Sequence, residues 1–436
     1  RQNPLEPQSA AGKRMTPAPV NKTTLPNGVR ILTNTMPFVR SVSMGVWVNV
    51  GARDESVSEN GLSHLIEHMI FKGTRKRTAY QIAKEFDAIG GHTNAFTSYE
   101  NTCYHARVMD AHLETMVDIL TDIFLNSEFA EEEVAKERPV IFQEIGMVED
   151  SPEEYIHVLS GSAFWGDNPL GRPIIGTPEN IRAFTSEKIK AFFHQFYQPS
   201  QIVVAVAGNV SHEKIVALAG PAFSAIETGP VFPARQTPSG CPQVKLHQRS
   251  LEQVHVCLAT HGVSISDPKR YAFSLLNTIF GGNMSSRLFQ KIREHRGLAY
   301  AVYSFISSYE DTGLFGAYVG VQPDKVRETV GLIAEEMRTL SQYPVEDGEL
   351  NDAKNYTKGN LLLAAESVDN QMVRLAQNEI NFGRSVPIEE IIEQVDGITA
   401  ADICDLAAEL FRKDHLALTA LGPLNGSASF EDLLRA

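Results

Sequence analysis

A chain of 436 residues with 43% apolar and 21% charged side chains has the make-up of a globular protein and is too long for one comfortable core, so two domains of about 200 residues are expected. Its formal charge of −14 argues against nucleic acid as the main partner, which needs a basic surface, and suits cationic partners or plain solubility. The longest apolar runs, such as 202–207, fall far short of the ~20 residues that span a bilayer, so no membrane partner is expected.

Residues 1–14, RQNPLEPQSAAGKR, lack the apolar stretch of a secretory signal. They are set outside the fold as a disordered arm, a weakly basic targeting piece or a cloning remnant. A first domain is expected over 15–226. LPNGVRIL carries the Asn27-Gly28 turn of a hairpin, and SVSMGVWVNVGARDE reads as a strand leading to a helix.

That helix is GLSHLIEHMIFKGT, 61–74. Ser58 and Asn60 are candidate caps, and Gly73 a candidate left-handed stop. Leu62, Leu65, Ile66, Met69 and Ile70 fall on one face; His64, Glu67 and His68 fall on the other. His64 and His68 are one turn apart, so both imidazoles can reach one metal ion. A surface helix with a polar face gives the same pattern, and zinc catalytic sites generally take three protein ligands plus a water.

A candidate third ligand lies in EEEVAKERPVIFQEIGMVED, 131–150, which reads as helix kinked near Pro139. Glu137 and Glu144 fall on one face with Val134, Val140, Ile141, Ile145 and Val148. Two carboxylates on an apolar face are costly to bury unpaired, which a cation would explain. A partly exposed, glutamate-rich helix would explain them equally. The remaining histidines His92, His105, His112, His157 and His194 have no comparable spacing and read as structural or surface residues.

The proline-rich stretch 227–243 reads as a linker, and a second domain is expected over 244–436. The halves repeat. TSEKIKAFFHQFYQPSQIVVAVAGNV from Thr185 matches TAADICDLAAELFRKDHLALTALGPL from Thr399, 214 positions on (185 to 399), aligning Ile189 with Ile403, Tyr197 with Phe411 and Gly208 with Gly422. SVSMGVWVNVGARDE likewise resembles QVHVCLATHGVSISD. Mixed strands and helical blocks in each half indicate a duplicated α+β fold rather than a doubly wound sheet. The counterpart of the histidine helix, FSLLNTIFGG (273–282), has neither His nor Glu, so the fold itself does not require them. GGNMSSR (281–287) lacks the spacing of a phosphate loop. The four scattered cysteines (Cys103, Cys241, Cys257, Cys404) suggest a reducing, intracellular setting.

HLIEH followed by Glu144, 76 residues after His68 (68 to 144), resembles the inverted zinc motif of the pitrilysin-type (M16) metallopeptidases. GGHTNAFTSYENTCYH (90–105) is similar to that family's GGxxNAxTSxExTxY strand. KERPVIFQEI carries its second glutamate, and IREHRGLAYAVYS (292–304) resembles its Arg/Tyr element. The resemblance spans about residues 20–425. It implies two homologous, sandwich-like α+β halves facing each other around a peptide chamber. It implies one zinc ion per chain held by His64, His68 and Glu144, with Glu67 as general base and Glu137 as its catalytic companion, orienting a ligand or the base. Asn94, Ala95 and Phe96 would bind substrate along a strand edge, and Arg293 and Tyr300 would contact substrate and the oxyanion. Because the family builds four-domain chambers and this chain has two halves, a homodimer with Arg293 and Tyr300 acting in trans is expected. The implied activity is a zinc endopeptidase acting on unfolded peptides, in the bacterial cytoplasm or alternatively the mitochondrial matrix. A presequence-processing subunit and a non-catalytic structural subunit are the other readings.

Overall fold

The computed structural model describes residues 20–230, 232–424 and 430; the arm at 1–14 lies outside them. Among the described residues, eleven strands form two sheets. The first contains β1 (Val20–Thr24), β2 (Arg30–Thr35), β3 (Ser41–Val48), β4 (His92–Thr97), β5 (Thr102–Met109) and β6 (Ile202–Gly208) in the order β1-β2-β6-β3-β5-β4. The second contains β7 (Val244–Gln248), β8 (Val254–Gly262), β9 (Ala299–Ser308), β10 (Gly313–Val321) and β11 (Ala417–Gly422) in the order β7-β11-β8-β10-β9.

Without the N-terminal hairpin strand β1, the two orders are the same. Each sheet has a single parallel pair, β2 with β6 and β7 with β11, and antiparallel neighbours elsewhere. The repeat extends to single residues. Thr185 and Thr399 both cap their helices, accepting from the amides of Lys188 and Asp402. Gly208 and Gly422 end β6 and β11 at φ +134° and +147°. A Cβ at either would run into the backbone of the neighbouring strand, at Ser41–Val42 or Gln253–Val254, so only glycine fits both ends.

Each half has its own core of strand and helix side chains on one face of its sheet. The opposite faces are covered by exchange. The helix Val368–Phe382 of the second half lies on β2, β3 and β6, seating Met372, Leu375 and Ala376 against Trp47, Cys103 and Val203. The helix Pro152–Trp165 of the first half lies on β8 and β11, seating Ile156 against Cys257, Tyr318 and Leu421. Each helix belongs in sequence to one half and lies on the sheet of the other. A charged seam adds to this. Arg53 pairs with Glu100 at 2.5 Å and with Asp311 at 2.7 Å. Arg235, in the stretch between the sheets, reaches Asp54 at 2.8 Å and Glu310 at 3.0 Å. Among the described residues, no helix is long and apolar enough to cross a membrane.

Candidate metal centre

The histidine helix runs Leu62–Met69 and packs between the sheet and the glutamate helix Glu131–Asp150. Its apolar stripe, Leu62, Leu65, Ile66, Met69 and Ile70, is buried in the first core. His64, Glu67 and His68 are the only residues between 61 and 70 that keep partial exposure. The one-turn spacing brings the two imidazole centroids to 4.6 Å.

The glutamate helix is one continuous element through Pro139, although a kink is expected there. Val134, Glu137, Ile141 and Ile145 are buried on it, whereas Val140, expected on the same face, is 40% exposed. Glu144 Oε2 lies 3.5 Å from His68 Nε2 and 3.8 Å from His64 Nε2. Donor atoms of the three residues lie within 4.8 Å of one another. That carboxylate oxygen is buried and accepts no hydrogen bond, an arrangement that is costly without a cation. Zinc takes nitrogen and carboxylate oxygen at about 2.0–2.2 Å, so an ion between the three atoms relieves the orphaned oxygen, and the residues present fit it. Burial, with His68 alongside, lowers the His64 pKa to about 4, so its ring is a neutral donor at neutral pH.

Glu137 sits on His68, not on Glu67. Its Oε1 is 2.9 Å from His68 Nδ1, and its Oε2 is 2.7 Å from Lys72 Nζ. Burial alone would raise the Glu137 pKa, but the bonds from Lys72 and His68 outweigh it and hold the carboxyl below its usual range. A carboxylate accepting from Nδ1–H fixes the tautomer that leaves Nε2 free to ligate. Glu67 is acted on by Thr97 at the end of β4, and by the charges of His68 and Glu144. Burial raises its pKa and hydrogen bonds from Thr97 partly offset the rise.

The helix start differs from expectation. Ser58 and Asn60 do not cap it: residues Val57–Glu59 form a 3-10 turn, and the N-cap position falls on Gly61 at φ +103°. The cap is the Glu55 carboxylate, which accepts from the amides of Ser63 at 2.7 Å and Gly61 at 2.8 Å and from Asn60 Nδ2 at 3.2 Å. Gly61 also meets Gly176 backbone to backbone; a Cβ on Gly61 would come within 2.8 Å of the Gly176 Cα. At the other end, Gly73 has a positive φ of +129°, but the helix stops earlier, at Met69.

Among the described residues, β4 is an edge strand that pairs only with β5. Asn94 is exposed on it, and its Oδ1 accepts the Ala95 amide at 2.9 Å. Ala95 faces the first core, while Phe96 points to the opposite face and meets Trp47 edge-on at 5.3 Å. The three neighbours therefore do not act on one surface. Arg293 and Tyr300 are brought together by the left-handed Gly297 between them (φ +59°), with the guanidinium 4.7 Å over the Tyr300 ring. Tyr300 is 79% exposed. Neither residue has a hydrogen bond, ion pair or ring contact with His64, Glu67, His68 or Glu144.

Three further residues support the centre. Lys72 is four positions after His68 and so on its face, a signal present in the helix periodicity. Thr97 lies inside the GGHTNAFTS segment. Glu55 gave no local signal, because it reaches the helix across a stretch of irregular chain.

The chain is similar to known proteins over most of its length. A family profile described as insulinase (peptidase family M16) matches residues 30–178, and one described as peptidase M16 inactive domain matches residues 183–357. A protein of Streptomyces coelicolor named as an uncharacterized zinc protease is 40% identical, over 93% of this chain and 90% of its own length. One of Bacillus subtilis with the same description is 38% identical, over 93% and 98%. A crystal structure of a protease from Helicobacter pylori superposes with a TM-score of 0.87 at 21% identity, covering 94% of this chain and all of that one, and shows the same fold.

Proposed function

The chain belongs to the M16 peptidase family, and from that premise we propose that it is a zinc-dependent endopeptidase that cuts unfolded peptides. The observation that carries the reading is the buried, partnerless Glu144 Oε2 facing the Nε2 atoms of both histidines. His64, His68 and Glu144 would hold one ion per chain. Zinc there would supply Lewis acidity toward the scissile carbonyl and the attacking water.

The protein's own groups do the rest. Glu67, lifted in pKa by burial, takes the proton of the attacking water and returns one to the leaving amine. Glu137 holds the His68 ring in its ligating tautomer. A substrate adds as an extra strand along the open edge of β4, where main-chain pairing gives affinity without strict sequence choice. Asn94 and Phe96 flank it on one face of that edge and Ala95 on the other.

The segment to residue 226 is the metal-holding unit, and residues 244–436 form the counter-half that closes a peptide chamber. Tyr300, exposed, and Arg293, half-buried beneath it, serve the site of a second copy in a homodimer and steady the oxyanion there. The relatives are bacterial, which favours a bacterial cytosolic setting. The test is cleavage of an internally quenched, unstructured peptide. Activity should vanish with a chelator and return with zinc, and chelator-resistant cleavage would overturn the reading.

A further inference from the structure

Glu55 is a buried acid that the proposed chemistry does not use. It is 2% exposed. All three hydrogen bonds to its carboxylate come from the entry to the histidine helix: the Gly61 and Ser63 amides and the Asn60 side chain. Its own carbonyl accepts from Arg172 Nη2 at 2.6 Å. The segment it holds is also pinned by Asn60 Nδ2 donating to the Pro173 carbonyl, by Asn180 Nδ2 donating to the Asn60 carbonyl, and by the close approach of Gly61 and Gly176, but only the Glu55 carboxylate takes the Gly61 and Ser63 amides. Ser63 is bonded directly before His64, so the carboxylate sets where the first turn begins and hence where the His64 ring points.

The helix is short, Leu62–Met69. It has no side-chain cap of its own, and its first-turn amides would otherwise be orphaned inside the protein. A negative charge at that end also counters the positive pole of the helix, which would otherwise weaken both imidazoles as donors to a cation.

Resting on the metal-site reading above, we infer that Glu55 is a positioning residue for the metal centre, holding the His64–His68 pair at ligating separation through the amides of Gly61 and Ser63. Its effect passes through the helix start and not through contact with ion or substrate. The groups around it are polar amides, the Tyr197 hydroxyl and the Arg172 guanidinium, which binds the Glu55 carbonyl and acts on the carboxylate through its charge. Burial lifts its pKa to about 7. Protonation turns one acceptor oxygen into a donor facing the Gly61 amide, which is the change that Glu55→Gln makes permanently.

The experiment is competition for zinc between the full-length protein and a chromophoric chelator, at a series of pH values. At pH 8, Glu55→Gln is expected to bind zinc about tenfold more weakly than wild type, the lower end of what loss of a supporting hydrogen-bond partner does to metal sites. As the pH falls through 7 the two affinities converge, because the wild-type carboxyl takes up its proton. A general structural defect would give a constant ratio. Should Glu55→Gln fail to fold by circular dichroism, Glu55→Asp, which keeps the charge but withdraws it from the amides, is measured in the same way and should also lose affinity. Equal zinc affinity in wild type and variant at pH 8, or a ratio independent of pH, overturns the positioning role while leaving the zinc reading intact. A wild type that binds no zinc overturns both.

Discussion

Glu67 shares a helical turn with both histidines, but it is not one of the three residues whose donor atoms converge, and its carboxyl is acted on by Thr97 as well as by His68 and Glu144. Removing its charge should therefore leave the metal in place. Glu67→Gln is expected to keep stoichiometric zinc by elemental analysis while peptide cleavage falls by at least about 100-fold, the scale of general-base catalysis. Near-normal turnover in that variant would refute its role. His64 supports a second prediction, in the metal-free protein. Its folded pKa is about 4 against 6.5 for the free side chain, so on acidification the unfolded chain binds the proton first. Stability is then lost as pH falls from about 6.5 toward 4 and stops changing on this account below that. Urea melts of metal-free His64→Gln should show a shallower loss across the same window; an unchanged slope would rule this out. Spacing explains why these residues were legible beforehand. The turn of a helix fixes His64, Glu67 and His68 relative to one another whatever surrounds them. Glu55 was not legible, because its reach depends on a 3-10 turn and a glycine contact that no periodicity encodes.

Elements show the same division. The capped helix and following strand at Thr185 and Thr399 are visible in the sequence because caps and alternating burial are local features. Which sheet a helix covers is not local. An apolar stripe states that something must cover it, and either sheet would satisfy Met372 or Ile156. The exchange of Val368–Phe382 and Pro152–Trp165 between the halves was hidden for that reason. Its energetic weight can be measured at Met372, which is fully buried and accepts from Trp47 Nε1 at 3.2 Å. Met372→Ala should cost about 2–5 kcal/mol in urea unfolding. Because the helix belongs to one half and its seat to the other, the loss should appear in a single transition common to both halves. Separate transitions for the halves would argue against that coupling.

At the scale of the whole molecule, the two sheets repeat one topology, but only one carries ligands. The helix Arg270–Phe280 stands where the repeat would place the histidine helix and buries Phe273, Leu275, Leu276, Ile279 and Phe280 without a metal-binding side chain. The Arg293–Tyr300 pair belongs to this ligand-free half, with Tyr300 exposed. Sharing in trans predicts complementation: mixing Glu67→Gln chains with Tyr300→Phe chains should restore up to about a quarter of wild-type activity under random pairing, since one site in a mixed dimer would be whole. No recovery after verified subunit exchange would show that each chain works alone. The crossed helices bear on how such a protein comes to exist at all. Translation delivers Pro152–Trp165 long before β8 and β11 are made, and β2, β3 and β6 long before Val368–Phe382. Each half therefore leaves the ribosome as half a clasp, with one sticky face bare and one sticky helix unhoused. Severed between the sheets, the two pieces would be obliged to seek each other, and in a crowded cell an unfinished chain could as readily clasp its neighbour.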